Sequence, residues 1–198
     1  MLDGYLHVSE QTGRECLAKF CRAVIETFKN AYLRKPTTDD TKMMVNMHER
    51  VHEFPGMLGS IDSMHWQWKN CPIAWRRHYT SGHKGTYPTI VLETVADQRL
   101  LIWLDLNVLN ESLMFNNLCV GRAPNIEFTA NRRRYSMGYF LADGIYPRWL
   151  VFVKTITCPT TPKRSLFARK QEAARKDVEH TFGVLQARLD IVKGAARG

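Results

Sequence analysis

Three carboxylates in this sequence are spaced so that they could form a metal site. Each of two apolar runs ends at an aspartate, Asp62 in one case and Asp143 in the other, and Glu179 lies on a long amphipathic stretch. Where strands of one α/β sheet end side by side, the residues just past them line a shared crevice. Two carboxylates there repel each other unless they are protonated or bridged by a cation. Because Mg²⁺ and Mn²⁺ prefer oxygen ligands, we predict a divalent metal site at Asp62, Asp143 and Glu179.

Such a site is suited to the hydrolysis of phosphodiester bonds. With two ions roughly 3.5–4 Å apart, one activates water and the other stabilises the leaving oxygen, so no protein side chain need act as general base. Arg175 lies one helical turn before Glu179 and is expected to keep that carboxylate ionised and oriented. A plainer interpretation stays open. Aspartate after a strand is common as a turn residue or helix cap, and a glutamate near an arginine on a helix is usually a surface pair.

The segments that carry these residues predict a mixed α/β domain preceded by helices. Apolar residues at helical spacing predict one helix over 14–33, and caps at residues 37–40 predict a second through about Arg50. Strands are expected at 57–61, 87–96, 100–103 and 139–142, the middle two as a hairpin. Further predicted segments are a short helix at 105–115, a loop at 121–130 and a long helix at 166–192. This order favours an α/β fold, with a helical N-terminal segment at 1–53 and a domain at 54–198.

The charge balance favours a polyanionic partner. The chain has 28 Lys+Arg against 19 Asp+Glu, a formal net charge of +9. Such a surplus favours nucleic acid, although solvated surface charge is an equal alternative for any single cluster. Six basic residues in two clusters are the predicted DNA contacts: Arg76, Arg77, Lys84, Arg132, Arg133 and Arg134.

Cysteine usage and hydropathy exclude other classes of protein. The five cysteines include no C-x-x-C pair, so neither a disulfide framework nor a zinc ribbon is indicated. No apolar run has the length of a membrane span, and the N-terminus lacks the pattern of a signal peptide. We therefore expect an intracellular protein without a membrane partner.

Longer blocks around the carboxylates resemble the PIF/Harbinger transposase family, in particular its plant transposon protein group. The blocks are FPGMLGSIDSMHW at 54–66, WKNCP at 68–72, YFLADGIYP at 139–147 and AARKDVEHTFGVLQAR at 173–188. Several long blocks in the right order are far more specific than one short motif, and the similarity covers nearly the whole chain.

The resemblance implies an RNase H-like mixed sheet flanked by helices, with a DDE metal site for DNA strand cleavage and transfer. By position, Asp62, Asp143 and Glu179 match the three catalytic carboxylates, and Asp105 matches a further acidic metal ligand. The implied cofactor is Mg²⁺ or Mn²⁺. The implied substrate is DNA at transposon ends, in the nucleus, with a Myb-like partner protein and self-association of the chain as further expectations.

The sequence departs from the family pattern in three places, of which the first should matter little. Ser63 stands where relatives have cysteine, and relatives continue with helical sequence beyond the equivalent of Gly198. Only Leu104 separates Trp103 from Asp105, where relatives have the end of a strand and a Gly-Ser loop. A strand advances about 3.3 Å per residue, so this deletion is expected to displace Asp105 or to shorten the third strand. The prediction is thus a shortened metal-dependent endonuclease domain whose activity the deletion puts in question. The alternative is a non-catalytic DNA-binding or partner-binding remnant.

Overall fold

The chain divides into two compact units. A computed structural model describes residues 9–32, 34, 36–80, 87–99, 102–106 and 125–195. The units are Met1–Lys35 and Pro36–Gly198. The first contains helix α1, Glu10–Tyr32, close to the predicted bounds. The boundary between the two units follows Lys35. The boundary predicted after residue 53 was placed where the sequence pattern changes from helical to strand-like.

Four helices of the second unit are described: α2 at Thr38–His52, α3 at Ile73–Tyr79, α4 at Pro162–Arg188 and α5 at Asp190–Lys193. The predicted caps of α2 are confirmed. The Thr37 hydroxyl accepts a hydrogen bond from the Asp40 N–H, and the Asp40 carboxylate accepts one from the Thr37 N–H at 2.8 Å. This reciprocal pair satisfies two N–H groups at the helix start that have no partner within the helix. Within the described residues, no helix is long and apolar enough to cross a membrane.

Five strands form the main sheet, in the order β3-β2-β1-β6-β7. Their bounds are Met57–Gln67 for β1, Thr89–Ala96 for β2, Ile102–Leu106 for β3, Tyr139–Ala142 for β6 and Phe152–Lys154 for β7. The first three pair antiparallel, which confirms the predicted hairpin, and β6 and β7 run parallel to β1. β4, Asn125–Ala130, and β5, Arg133–Met137, form a separate antiparallel hairpin. Three antiparallel strands followed by two parallel ones, with flanking helices, form the RNase H-like mixed sheet expected from the sequence.

Side chains that alternate along the strands supply a core on both faces of the sheet. Leu141 faces α4 and packs with Ala174, whereas its neighbours Phe140 and Ala142 belong to a larger cluster on the opposite face. That cluster also contains Ile61 of β1 and Val95 of β2. The alternation explains why β6 is fully apolar: a strand buried on both faces offers no position for a polar side chain.

Several predicted boundaries were wrong, and the reasons are physical. β1 does not end at Asp62 but continues to Gln67, because β2 pairs with it along that whole stretch. Asp105 and Leu106 lie in β3 rather than in a helix, and residues 107–115 of the predicted helix lie outside the described residues. α4 begins four residues before the predicted start and ends at Arg188.

The predicted loop at 121–130 contains strand β4 instead. Asn131 and Arg132 both have positive φ, 51° and 63°, as in a tight two-residue hairpin turn. The usual sequence signal for such a turn is Asn-Gly. Here Arg132 stands in the glycine position, and arginine rarely adopts a positive φ, so the sequence did not predict this hairpin.

Gly56, at the entry to β1, is a position where any larger residue is expected to destabilise the fold. Its φ is +80°, and a Cβ placed there would lie 2.3 Å from the Phe128 ring. We expect Gly56→Ala to lower the free energy of unfolding by about 2–4 kcal/mol, measured by urea denaturation, because backbone strain and overpacking add. Gly183→Ala is the matched control. Gly183 is helical with open space around it, so alanine should stabilise by about 0.5–1 kcal/mol. Equal stability of wild type and Gly56→Ala would contradict the prediction.

Candidate active site

Asp62 lies in β1 just beyond the point where that strand loses its parallel neighbour. β1 pairs with β6 only as far as Ser60, opposite Leu141, but stays paired with β2 to Gln67. The Asp62 side chain is 21% exposed. The Ser63 N–H donates a hydrogen bond to Asp62 Oδ1 at 2.8 Å, which holds the carboxylate in one orientation.

Asp143 is the first residue after β6, as predicted. Its Oδ1 accepts a hydrogen bond from the Ile145 N–H at 2.5 Å, an Asx turn that fixes the carboxylate where the chain leaves the sheet. Burial raises the pKa of Asp62, and the negative charges of Asp143 and Glu172 add to that rise. The structure therefore brings two of the three predicted carboxylates, Asp62 and Asp143, close enough to interact.

Arg175 is the cation of this site. Its side chain is only 7% exposed, and Nη2 lies 3.7 Å from Asp62 Oδ2. Nη1 lies 3.7 Å from Glu172 Oε2, on the preceding turn of α4. The sequence spacing predicted a pair with Glu179, but the guanidinium contacts Asp62 and Glu172 instead. Together with the Ser63 N–H, its positive charge opposes the rise in the pKa of Asp62.

Glu179 lies on α4 one turn beyond Arg175. Its side chain is exposed and makes no hydrogen bond or ion pair within the described part of the chain. Glu172 and Glu179 are seven positions apart, which places them on the same side of the helix about 10.5 Å apart along its axis. Glu172 was missed from the sequence, although this two-turn spacing around Arg175 could have indicated it.

Buried polar contacts fix α4 against the strands that carry the aspartates. The Ser60 hydroxyl donates to the Ala174 carbonyl at 3.2 Å. Gln171, which is fully buried, donates to the carbonyl of Ala142 at 3.1 Å and accepts from the Thr155 hydroxyl at 2.8 Å. Because Ala142 directly precedes Asp143, these contacts set the position of Arg175 relative to both aspartates.

Asp105 lies on the same cross-strand row of the sheet as Asp62. Its Cα partner is Thr94 of β2, and Thr94 is the partner of Asp62. Two strand spacings, about 9.5 Å, therefore separate the backbones of Asp105 and Asp62 across the sheet. The Asp105 side chain lies outside the described residues.

The donor set fits a hard divalent cation. Asp62 and Asp143 offer carboxylate oxygens, which are the ligands that Mg²⁺ and Mn²⁺ prefer. Burial raises the pKa of Asp62, because removal from water disfavours its negative charge even with Arg175 nearby. A cation between Asp62 and Asp143 would compensate that charge.

A second pair of polar side chains, which sequence reasoning missed, is Glu93 on β2 and Tyr146 in the loop after β6. Glu93 pairs with Ser63, and burial raises the pKa of Glu93 to about 7. Its Oε2 and the hydroxyl of buried Tyr146 have no hydrogen-bond partner among the described residues. Burial, with the nearby charge of Glu93, raises the pKa of Tyr146. Glutamate inside a strand-like run gives no sequence signal of burial, because exposed strand positions are equally polar.

Glu93 is expected to make stability fall with rising pH. Its folded-state pKa of about 7 exceeds the ordinary value of 4.5, so the folded chain holds the proton more tightly than the unfolded chain. The stabilisation is complete below about pH 4.5 and is lost as the pH rises through 7, by about 1–3 kcal/mol. Glu93→Gln should remove this dependence, measured by urea denaturation at pH 5 and pH 8. The exposed control Glu127→Gln should keep it, and an unchanged slope in Glu93→Gln would contradict the assignment.

The predicted DNA contacts lie on two exposed surfaces. Arg76 and Arg77 are exposed on α3 beside Trp75, which is 55% exposed and stacks edge-to-face on Trp68. Arg132 lies in the β4–β5 turn, and Arg133 and Arg134 begin β5, all three exposed. Lys84 lies outside the described residues. DNA binding by these residues stays a prediction.

Comparison with known proteins assigns a family. The family model described as plant transposon protein matches residues 30–198. No curated protein and no solved structure matches the chain. The matched region contains both aspartates of the site, Arg175 and the whole of the mixed sheet. The chain therefore belongs to the plant transposon protein family.

Proposed function

We propose that this chain is a PIF/Harbinger-type DDE endonuclease domain that hydrolyses DNA phosphodiester bonds with Mg²⁺ or Mn²⁺. The observation that carries the proposal is the convergence of Asp62 and Asp143 at neighbouring parallel strands, where the pKa of Asp62 is raised. Two carboxylates held near each other by hydrogen bonds are typical of a cation site.

Each residue of the site has a distinct role. Asp62 and Asp143 would hold the divalent cation, Glu179 would supply the third carboxylate, and Asp105 would assist. The bound metal supplies an activated water and neutralises charge that develops on the phosphate. Arg175 lies 3.7 Å from Asp62, and its positive charge opposes the rise in the pKa of that carboxyl.

DNA is the proposed substrate, and its backbone would lie along the exposed basic residues Arg76, Arg77 and Arg132–Arg134. Trp75, exposed beside two of these arginines, offers an aromatic face for an unpaired base. A DNA substrate implies the nucleus as the working compartment. A Myb-like partner and self-association of the chain extend the same proposal.

A non-catalytic DNA-binding remnant is the second candidate. The observation that favours it is the contact of Arg175 with Asp62, because the guanidinium already supplies a positive charge to that carboxylate. Such a remnant would keep the fold and the basic surface without cleaving DNA.

Nicking of supercoiled plasmid tests the proposal. Wild type should nick in Mn²⁺ and not in EDTA, and Asp62→Asn should lose nicking. Asp190→Asn, which alters an exposed carboxylate of the same unit, should nick like wild type. DNA binding by a folded wild type that never nicks would favour the remnant and overturn the nuclease proposal.

A further inference from the structure

A second group of metal-ligating side chains lies between α2 and α4, away from the aspartates of the proposed nuclease site. His48 and His52 are four residues apart on α2, so they share one face of the helix, and their rings stack with centroids 5.7 Å apart. His52 Nε2 lies 2.8 Å from Asp177 Oδ2 on α4. One ligand atom from each of the three residues lies within 4.8 Å of the other two.

His48 is a buried histidine whose two ring nitrogens have no hydrogen-bond partner among the described residues. Its side chain is 0% exposed. A buried polar group without a partner costs on the order of 1–3 kcal/mol, so such groups usually have a ligand or a function. Burial, followed by the charge of His52, lowers the pKa of His48 to about 4, against the opposing charges of Asp97 and Asp177. A neutral imidazole has one ring nitrogen whose lone pair can bind a metal.

We propose that His48, His52 and Asp177 bind one Zn²⁺ ion that joins α2 to α4. Two imidazole nitrogens and one carboxylate oxygen are a ligand set that zinc prefers, with water in the fourth position. Bonds of about 2.0–2.1 Å in tetrahedral geometry require ligand atoms roughly 3.3 Å apart, so the three side chains would move closer together on binding the ion. The hydrogen bond between His52 and Asp177 would then be replaced by two bonds to the metal.

The ligand chemistry separates this ion from the one proposed for the nuclease site. Mg²⁺ and Mn²⁺ prefer oxygen ligands, whereas a site with two histidines and one carboxylate favours zinc. Asp177 lies two residues beyond Arg175 on α4. Zinc here would hold the segment of α4 that places the guanidinium on Asp62.

Zn²⁺ titration by calorimetry, in the double variant Asp62→Asn and Asp143→Asn, tests the site without interference from the aspartates. One equivalent should bind. His52→Gln and Asp177→Asn should each weaken binding by at least about tenfold. His180→Gln, which alters an exposed histidine of α4, should bind like its parent. Co²⁺ bound in place of zinc should give the visible absorption of a tetrahedral site, and this absorption should be lost in Asp177→Asn.

His48→Phe provides a second variant that keeps the core filled and removes a ligand. It should fold, as judged by circular dichroism, and should also lose zinc binding. If the folded parent binds no Zn²⁺, or binds it equally well after His52→Gln and Asp177→Asn, the proposal is overturned. Neither result bears on the nuclease proposal, because the double variant lacks both aspartates of that site.

Discussion

Asp143→Asn is expected to remove saturable Mn²⁺ binding from the purified chain, and Asp62→Asn is expected to do the same. Each change removes one negative charge and one carboxylate ligand from a site that has few carboxylates. Binding should weaken by at least about tenfold, or about 1.4 kcal/mol, in a calorimetric titration. Asparagine retains an oxygen that can accept the Ile145 N–H, so the turn after β6 should survive the substitution.

Two controls make this result interpretable. Asp190→Asn changes an exposed carboxylate on α5 and should bind Mn²⁺ like wild type. Circular dichroism should show the same fold in all four proteins. A folded wild type without saturable binding would mean that Asp62 and Asp143 do not form a metal site. The chain would then retain the fold of its family without the proposed chemistry.

The sequence was sufficient to predict the elements that carry the site. The apolar run at 139–142 ending at Asp143 predicted β6, and the capping pattern at residues 37–40 predicted the start of α2, because both signals are local. The end of β1 was mispredicted for the opposite reason. Four of the six residues at 62–67 are polar, and the segment is held in the strand by pairing with β2, a contact distant in sequence.

The electrostatic partners within the site were the least predictable part. Helical spacing allows Arg175 to reach either Glu172 or Glu179, and only the packing of α4 on β1 directs its guanidinium toward Asp62. The burial of Glu93 and His48 likewise depends on what covers them. Neither residue type predicts burial, so the polar atoms without hydrogen-bond partners among the described residues could be found only in three dimensions.

The pair Glu172 and Glu179 provides the sharpest test of the third carboxylate. Both lie on one side of α4, on either side of Arg175. Glu172 is already engaged with the guanidinium, whereas Glu179 is exposed and unpaired among the described residues, so it can turn toward a metal without breaking a contact. We therefore expect Glu179→Gln to slow Mn²⁺-dependent nicking at least about a thousandfold, since a lost metal ligand removes several kcal/mol of transition-state stabilisation.

Glu172→Gln is the matched control, because it makes the same chemical change on the same helix two turns away. Its nicking rate should stay within about tenfold of wild type, since Arg175 keeps its contact with Asp62. The rates are to be compared at saturating Mn²⁺, so that weaker metal binding is separated from slower chemistry. The opposite outcome, loss in Glu172→Gln and retention in Glu179→Gln, would assign the third carboxylate to Glu172. It would also show that α4 lies in a different register over the site than the family resemblance implies.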